Sequence, residues 1–215
     1  MAHDYEVRSS EDVFDGKIIK VRTDQVSMPG GNVSQRDVVV HPGAVGVVAL
    51  DDQGRVMLIK QYRHPVAETL WELPAGLLDV EGEQALVTAQ RELAEEAGLQ
   101  AERWNVLADL LSSPGMTDEA VRVYLAREVS ETGQERSSEN EEADLELEWV
   151  ELDDAVRSVL AGGIRNALAV VGLLAAARAR DNDFENLREQ DAPWPDRFKR
   201  VPQLVDTEGA ATPQQ

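Results

Sequence analysis

Hydrophobic positions follow two periods along this chain. Ala44–Leu50 (AVGVVAL) is apolar without alternation, as expected of a strand covered on both faces. Arg55–Gln61 and Leu145–Leu152, the latter around Trp149, alternate and predict half-buried strands. Tyr5–Arg8, Lys17–Val26 and Val33–Val40 read as further short strands, with Met28-Pro-Gly-Gly-Asn32 supplying the turn of a hairpin. Thr69–Leu73, Trp104–Leu111 and Ala120–Arg127 complete the strand set. Helical spacing appears three times: between Glu83 and a terminating Gly98, over Asp153–Ala161 before Gly162-Gly163, and over Asn166–Ala179. The segment Glu128–Asp144 is too polar for core.

Strands on both sides of a helix, with two helices at the end, predict an α/β (α+β) domain, a three-layer α/β/α sandwich with a mixed sheet. A small N-terminal antiparallel β domain precedes it. The expected bounds are 1–42 for that piece, 43–180 for the main domain and 181–215 for a flexible or loosely docked tail. Phe184, Trp194 and Phe198 are the residues able to dock the tail. The N-terminal strands are too few to bury their own faces, so they are expected to lean on the main domain or on a second subunit.

Charge narrows the partners. The formal net charge of -20 over 215 residues repels polyanions, so neither bulk nucleic acid nor an anionic membrane surface is expected. Cysteine is absent, which excludes disulfides, zinc–thiolate sites and a thiol nucleophile. The N-terminal residues have no apolar signal core and no apolar run reaches the roughly 20 residues of a bilayer span. A cytoplasmic protein is expected.

One stretch concentrates the chemistry. In Gly76–Leu99 (GLLDVEGEQALVTAQRELAEEAGL), Glu92, Glu95 and Glu96 stand at i, i+3 and i+4 and share one helical face. Arg91 is the basic residue among them. Like charges at these spacings cost roughly 0.2–0.5 kcal/mol per pair, a penalty that a cation reverses. Carboxylate oxygens suit hard divalent ions that bridge to phosphates. Spacing alone is also consistent with a solvated acidic face, with Leu86, Ala89, Leu93 and Ala97 packed inward.

Gly76, Glu83, Arg91-Glu92-Leu93, Glu95-Glu96 and Gly98-Leu99 closely resemble the Nudix box, the glycine-loop-helix motif of hydrolases acting on nucleoside diphosphates linked to another group. Six residues separate Gly76 from Glu83 where the family pattern has five, so the loop carries one extra residue. The flanks Gln61-Tyr-Arg-His64, Leu70–Gly76 and Ser113–Glu119 resemble bacterial ADP-ribose pyrophosphatases. So does Pro114, which stands where those enzymes have a proline downstream of the box.

The resemblance implies Mg2+-dependent cleavage of ADP-ribose to AMP and ribose 5-phosphate, with two or more ions and Mn2+ as a possible substitute. It implies Glu92, Glu96 and the carbonyl of Ala75 as main metal ligands, with Glu95 and Glu83 completing the cluster and Arg91 orienting a carboxylate. Glu142 or its neighbour Glu141 is the implied base. Arg36 and Arg63, with Glu72 and Glu119, are the candidates for gripping substrate; an ion pair that only stabilises the fold is the alternative for each arginine. Trp71 is expected in the core beside the box, with stacking on adenine as the alternative. The same resemblance implies a homodimer that exchanges its N-terminal strands. Hydrolysis of another nucleotide sugar, or of an oxidised nucleoside triphosphate, is the alternative within the enzyme class. A non-catalytic Nudix module that binds ADP-ribose is the alternative outside it.

Overall fold

The computed structural model describes residues 5–133 and 145–195, which divide into two compact units. In the first, the turn residues act as their chemistry demands. Gly30 and Gly31 adopt φ of +94° and +87°, a region that L side chains avoid, and Met28 N–H donates to Asn32 O at 2.8 Å. The turn joins β2 (Lys20–Ser27) to β3 (Val33–Val40), and β1 (Val7–Asp15) pairs with β2 to give an antiparallel sheet in the order β1-β2-β3. The loop Ser113–Glu119 belongs to this unit. It pairs with the end of β3 through Val39 N–H to Met116 O and Asp118 N–H to Val39 O, and Asp118 accepts from His41 N–H at 2.9 Å.

The second unit is built around β4 (Ala44–Ala49), the continuously apolar strand, which runs parallel to β9 (Ala120–Glu131) and antiparallel to β7 (Ala75–Leu77). With β8 (Leu99–Leu111) and the two-residue β11 (Arg188–Glu189) the mixed sheet has the order β11-β8-β9-β4-β7. A second sheet, β10-β5-β6, is antiparallel and comprises Glu146–Glu151, Arg55–Arg63 and Glu68–Glu72. Alternate residues of β4 serve two separate cores, as the pleat requires. Val45, Val47 and Ala49 pack with Ala89 and Leu93 of α1 (Ala85–Ala97); Val48 and Leu50 pack with Leu173 and Ala176 of α3 (Ala167–Arg180) and with Leu152 and Ala155 of α2 (Leu152–Leu160). Helices thus cover both faces of the sheet, the expected α/β/α sandwich. The close approach of α3 is made possible by glycine: a Cβ on Gly172 would stand 2.6 Å from Leu73 Cδ1, and one on Gly46 would stand 2.6 Å from Leu168 Cδ2.

Local signals set the helix ends. Gly98 closes α1 at φ +68°, its N–H bonding Ala94 O and Leu93 O, and the Asn166 side chain caps α3 by accepting from Ala169 N–H. Leu86 is only partly buried, whereas Ala89, Leu93 and Ala97 face the core as the spacing predicts. Trp71 departs from expectation. It is half-buried and packs with the α2–α3 core instead of the α1 core, with the Lys60 ammonium 5.4 Å from its ring, because the pleat of β6 turns it to that side.

The chain after α3 docks as far as Trp194, which is buried in the α1 core. Arg122, buried on β9, holds this segment: its guanidinium donates to Ala192 O at 2.7 Å and Pro193 O at 3.1 Å and lies 4.8 Å from the Trp194 ring. Asp109 and Arg188 extend the same network. Phe198 lies outside the described residues.

Candidate active site

The box folds as a short strand, a turn and a helix that converge on one backbone position. β7 delivers Ala75 and Gly76 to the flank of α1, where Ala75 N–H donates to Glu96 Oε2 at 2.9 Å. Glu96 is 8 % exposed, so this bond fixes one oxygen of a carboxylate that has left bulk water. Gly76 is required here for space, not for its dihedral. A Cβ at this position would stand 2.1 Å from the Glu92 carboxyl carbon, so the carboxyl group of Glu92 occupies the volume any larger residue would fill.

The extra loop residue is absorbed in a turn. Glu83 N–H bonds Val80 O at 3.2 Å while Gly82 takes φ +79°, and Glu83 still reaches the helix. Its carboxylate accepts from Thr88 Oγ1 at 2.8 Å and pairs with Arg91 at 3.2 Å. Arg91 also pairs with Glu92 at 2.8 Å and with Glu95 at 2.9 Å. One guanidinium therefore gathers three carboxylates, and with Glu96 there are four acids to a single base. The Arg91 and Thr88 hydrogen bonds hold the Glu83 carboxyl below its ordinary pKa. Partial burial acts against the Arg91 charge, but its bonds to Glu83 and Glu95 and the neighbouring Glu92 charge outweigh this and hold its pKa above the usual arginine value.

Among the described residues no group of three or more acidic or histidine side chains is arranged as a ready ligand set. The reason lies in Arg91, toward which the carboxylates of Glu83, Glu92 and Glu95 turn. Thr88 was not foreseen. Its signal in the sequence is a hydroxyl on the buried face of a helix, five positions from an acid that needs a donor.

The remaining candidates fall in separate places. Arg63 and Glu72 pair with each other in a bidentate bridge across β5 and β6, at 3.0 and 2.7 Å, with Glu72 2 % exposed. In the first unit, Arg36 is exposed on β3, its guanidinium donating to Ser34 Oγ and Gln35 O; among the described residues it meets no carboxylate. Glu119 approaches His41 Nδ1 at 3.4 Å, and Pro114 is exposed in the Ser113–Glu119 loop. Glu141 and Glu142 lie outside the described residues.

The NUDIX domain model matches residues 40–170. The chain belongs to the Nudix family. A second model, the nucleoside diphosphate sugar hydrolase N-terminal domain, matches residues 5–39 of this Nudix chain. An ADP-ribose pyrophosphatase of Mycobacterium tuberculosis is 49% identical over 91% of this chain and 93% of its own length. Another, from Bacillus subtilis, is 40% identical over 70% of this chain and 80% of its own. In three dimensions, the crystal structure of an ADP compounds hydrolase aligns with TM-score 0.74 at 19% identity, covering 85% of this chain and 97% of that one, and it shows the shared fold. The Nudix resemblance read from the box and the assignment as a Nudix pyrophosphohydrolase are borne out.

Proposed function

We propose that this Nudix protein hydrolyses the diphosphate bond of ADP-ribose, giving AMP and ribose 5-phosphate, with Mg2+ as cofactor and Mn2+ as a substitute. The observation that carries the reading is the concentration of acids beside the box: Glu92 and Glu96 against the Ala75–Gly76 backbone, and Glu83, Glu92 and Glu95 gathered by Arg91. The pyrophosphatase relatives support the substrate. The donor set fits a hard divalent ion, since every side-chain ligand offers oxygen.

Glu92, Glu96 and the Ala75 carbonyl would hold the ions, with Glu95 and Glu83 supporting. When bound, such ions neutralise the diphosphate and activate the attacking water. The protein's own groups prepare that event. The Ala75 N–H fixes Glu96, and the missing side chain at Gly76 leaves Glu92 its place. Arg91 restrains the acids, so they do not have to be ordered from solvent at the moment of reaction. Glu142 or Glu141 is the proposed base. Arg36 is proposed to grip a substrate phosphate or stack on the base, and its exposed guanidinium is consistent with that task. Arg63 and Glu72 act in this reading as a rigid pair on the substrate side, with the Arg63 side chain partly exposed. Pro114 and Glu119 are proposed to shape the substrate side of their loop.

The N-terminal three-stranded unit exposes Val13, Phe14, Ile18 and Val33. A small sheet with so much exposed apolar surface supports the proposed homodimer, in which a second copy covers it. No helix among the described residues is long and apolar enough to cross a membrane, and a cytoplasmic site of action is part of the same proposal.

A second reading, hydrolysis of another nucleoside diphosphate sugar, is favoured by the description of the N-terminal family model. Incubating the purified protein with ADP-ribose, ADP-glucose and dGTP, with and without Mg2+, separates the two. AMP and ribose 5-phosphate are expected from ADP-ribose only with metal. Turnover of ADP-glucose alone would transfer the assignment to the second reading, and no turnover of any substrate would favour a binding module.

A further inference from the structure

At the far end of β4 from the box, three arginines line a cavity of about 320 Å3 together with Leu50, Phe184 and three acids, Asp51, Asp52 and Glu128. Val45 of β4 pairs with Gly76, whereas Ala49 pairs with Ala126, next to Arg127. The cavity therefore opens roughly 13 Å along the strand from Gly76. Arg103, Arg127 and Arg180 are its cations.

Arg103 and Arg127 are direct cross-strand partners in the antiparallel β8–β9 ladder. Like charges placed opposite each other destabilise a sheet, so this pairing costs stability in the unliganded protein. The neighbouring acids relieve it only in part: Glu128 contacts Arg103, and Asp51 is engaged elsewhere. Asp51 is engaged by Arg55, and Arg180 by Asp153 and Asp181. Glu128 lies at φ +57°, a conformation rare for a non-glycine residue, and makes only a long, exposed contact of 3.4 Å with Arg103.

Arg127 is the exception among the three. Its guanidinium stacks 4.3 Å over Phe184 and one amino group donates to Asn105 Oδ1 at 3.0 Å; its Nε is buried with no acceptor, and among the described residues it meets no carboxylate. Burial and then the Arg103 charge pull its pKa below the usual arginine value, with the Glu128 charge acting in the opposite sense without offsetting them. Asp51, Asp52 and Glu128 also line the cavity and limit how much negative charge can enter. A compact ligand presenting several acceptor oxygens to the two opposed guanidiniums satisfies these conditions, and a bulky polyanion does not.

We propose that the Arg103–Arg127–Arg180 cavity is a binding site for a small phosphate-class dianion, separate from the Nudix box and independent of the reading given to it. The ligand is either free phosphate or the phosphomonoester end of a nucleotide or sugar phosphate. The test is calorimetric titration of the full-length protein at low salt in EDTA. Inorganic phosphate is used in one arm and AMP in the other, with wild type, Arg127→Gln and Arg103→Gln.

Saturable binding to wild type, weakened at least tenfold in both variants, is expected. Equal affinity in the two arms would mean that the dianion alone is read, and tighter AMP binding that the cavity also takes the nucleoside. Should Arg127→Gln fail to fold, Arg103→Gln decides. It removes the like-charge opposition, so its melting temperature without phosphate should equal or exceed wild type while the phosphate-dependent rise is lost. Absence of saturable binding in both arms, or binding that survives Arg103→Gln, would overturn the proposal. So would a phosphate-free melting temperature clearly below wild type in Arg103→Gln, which would mark Arg103 as structural.

Discussion

The Glu92 carboxyl group sits where a side chain at residue 76 would be, and this one contact ties the loop of the box to its helix. Gly76→Ala is therefore expected to push Glu92 off its position. Overpacking of this kind costs about 1–3 kcal/mol, and in this account activity falls by orders of magnitude beyond the stability loss. Urea unfolding together with kcat measured well below the transition separates the two effects; near-normal kcat would remove Glu92 from the machinery. Arg63→Ala makes a different prediction. It strands the buried Glu72 carboxylate, so the loss should appear in stability, by about 1–3 kcal/mol in urea unfolding, because an unpartnered buried acceptor must be desolvated. At this scale the sequence was only partly informative. The helical spacing of Glu92, Glu95 and Glu96, with Arg91 among them, was legible. The Arg63–Glu72 bridge was not, since the ladder pairs Arg63 with Glu68 and Glu72 with Ile59, and it is the reach of the long side chains that closes this offset.

Element boundaries followed from strong local chemistry. Gly98 ended α1 in the sequence and does so in the structure, at φ +68°. Gly98→Ala is expected to cost about 1 kcal/mol through the left-handed conformation it forces on a Cβ, measurable as a lower denaturation midpoint with unchanged m. The β2–β3 turn, the doubly buried β4 and the glycine stop after α2 were equally readable. Strands β8 and β9 run longer than expected, to Leu99–Leu111 and Ala120–Glu131: their outer ends place Leu99, Ala101 and Val129 against the α1 core and join Gln100 to Ser130. Apolar positions so thinly spread among polar ones are a weak sequence signal. The docking of the chain after α3 was hidden for a related reason. It depends on a buried arginine, and Arg122 on an apolar strand gives no periodic signal of the carbonyls it will bind.

For the molecule as a whole, that docked segment supplies an acid-sensitive link. Burial opposes the Asp109 charge, yet the bonds from Arg122 and Arg188 prevail and hold its carboxyl below the ordinary value. A depressed folded pKa means that the unfolded chain binds more protons in the window between the two values. The Asp109 contribution is thus full at pH above about 4, shrinks as pH falls through that window, and is gone below the folded pKa. Unfolding of wild type and Asp109→Asn compared across pH should show a gap that is constant near neutrality and closes in acid; a gap independent of pH would contradict the network. The net charge of -20 places a different demand on the molecule, since its overall field opposes an anionic substrate and leaves attraction to local cations.

Whether the acids of α1 hold divalent ions is decided by Mn2+ titration followed by electron paramagnetic resonance in wild type, Glu92→Gln and Glu96→Gln. Saturable Mn2+ binding is expected in wild type, and its loss, together with the hydrolysis of ADP-ribose, in both variants while they stay folded. Undiminished Mn2+ binding in the two variants would remove these acids from the metal site.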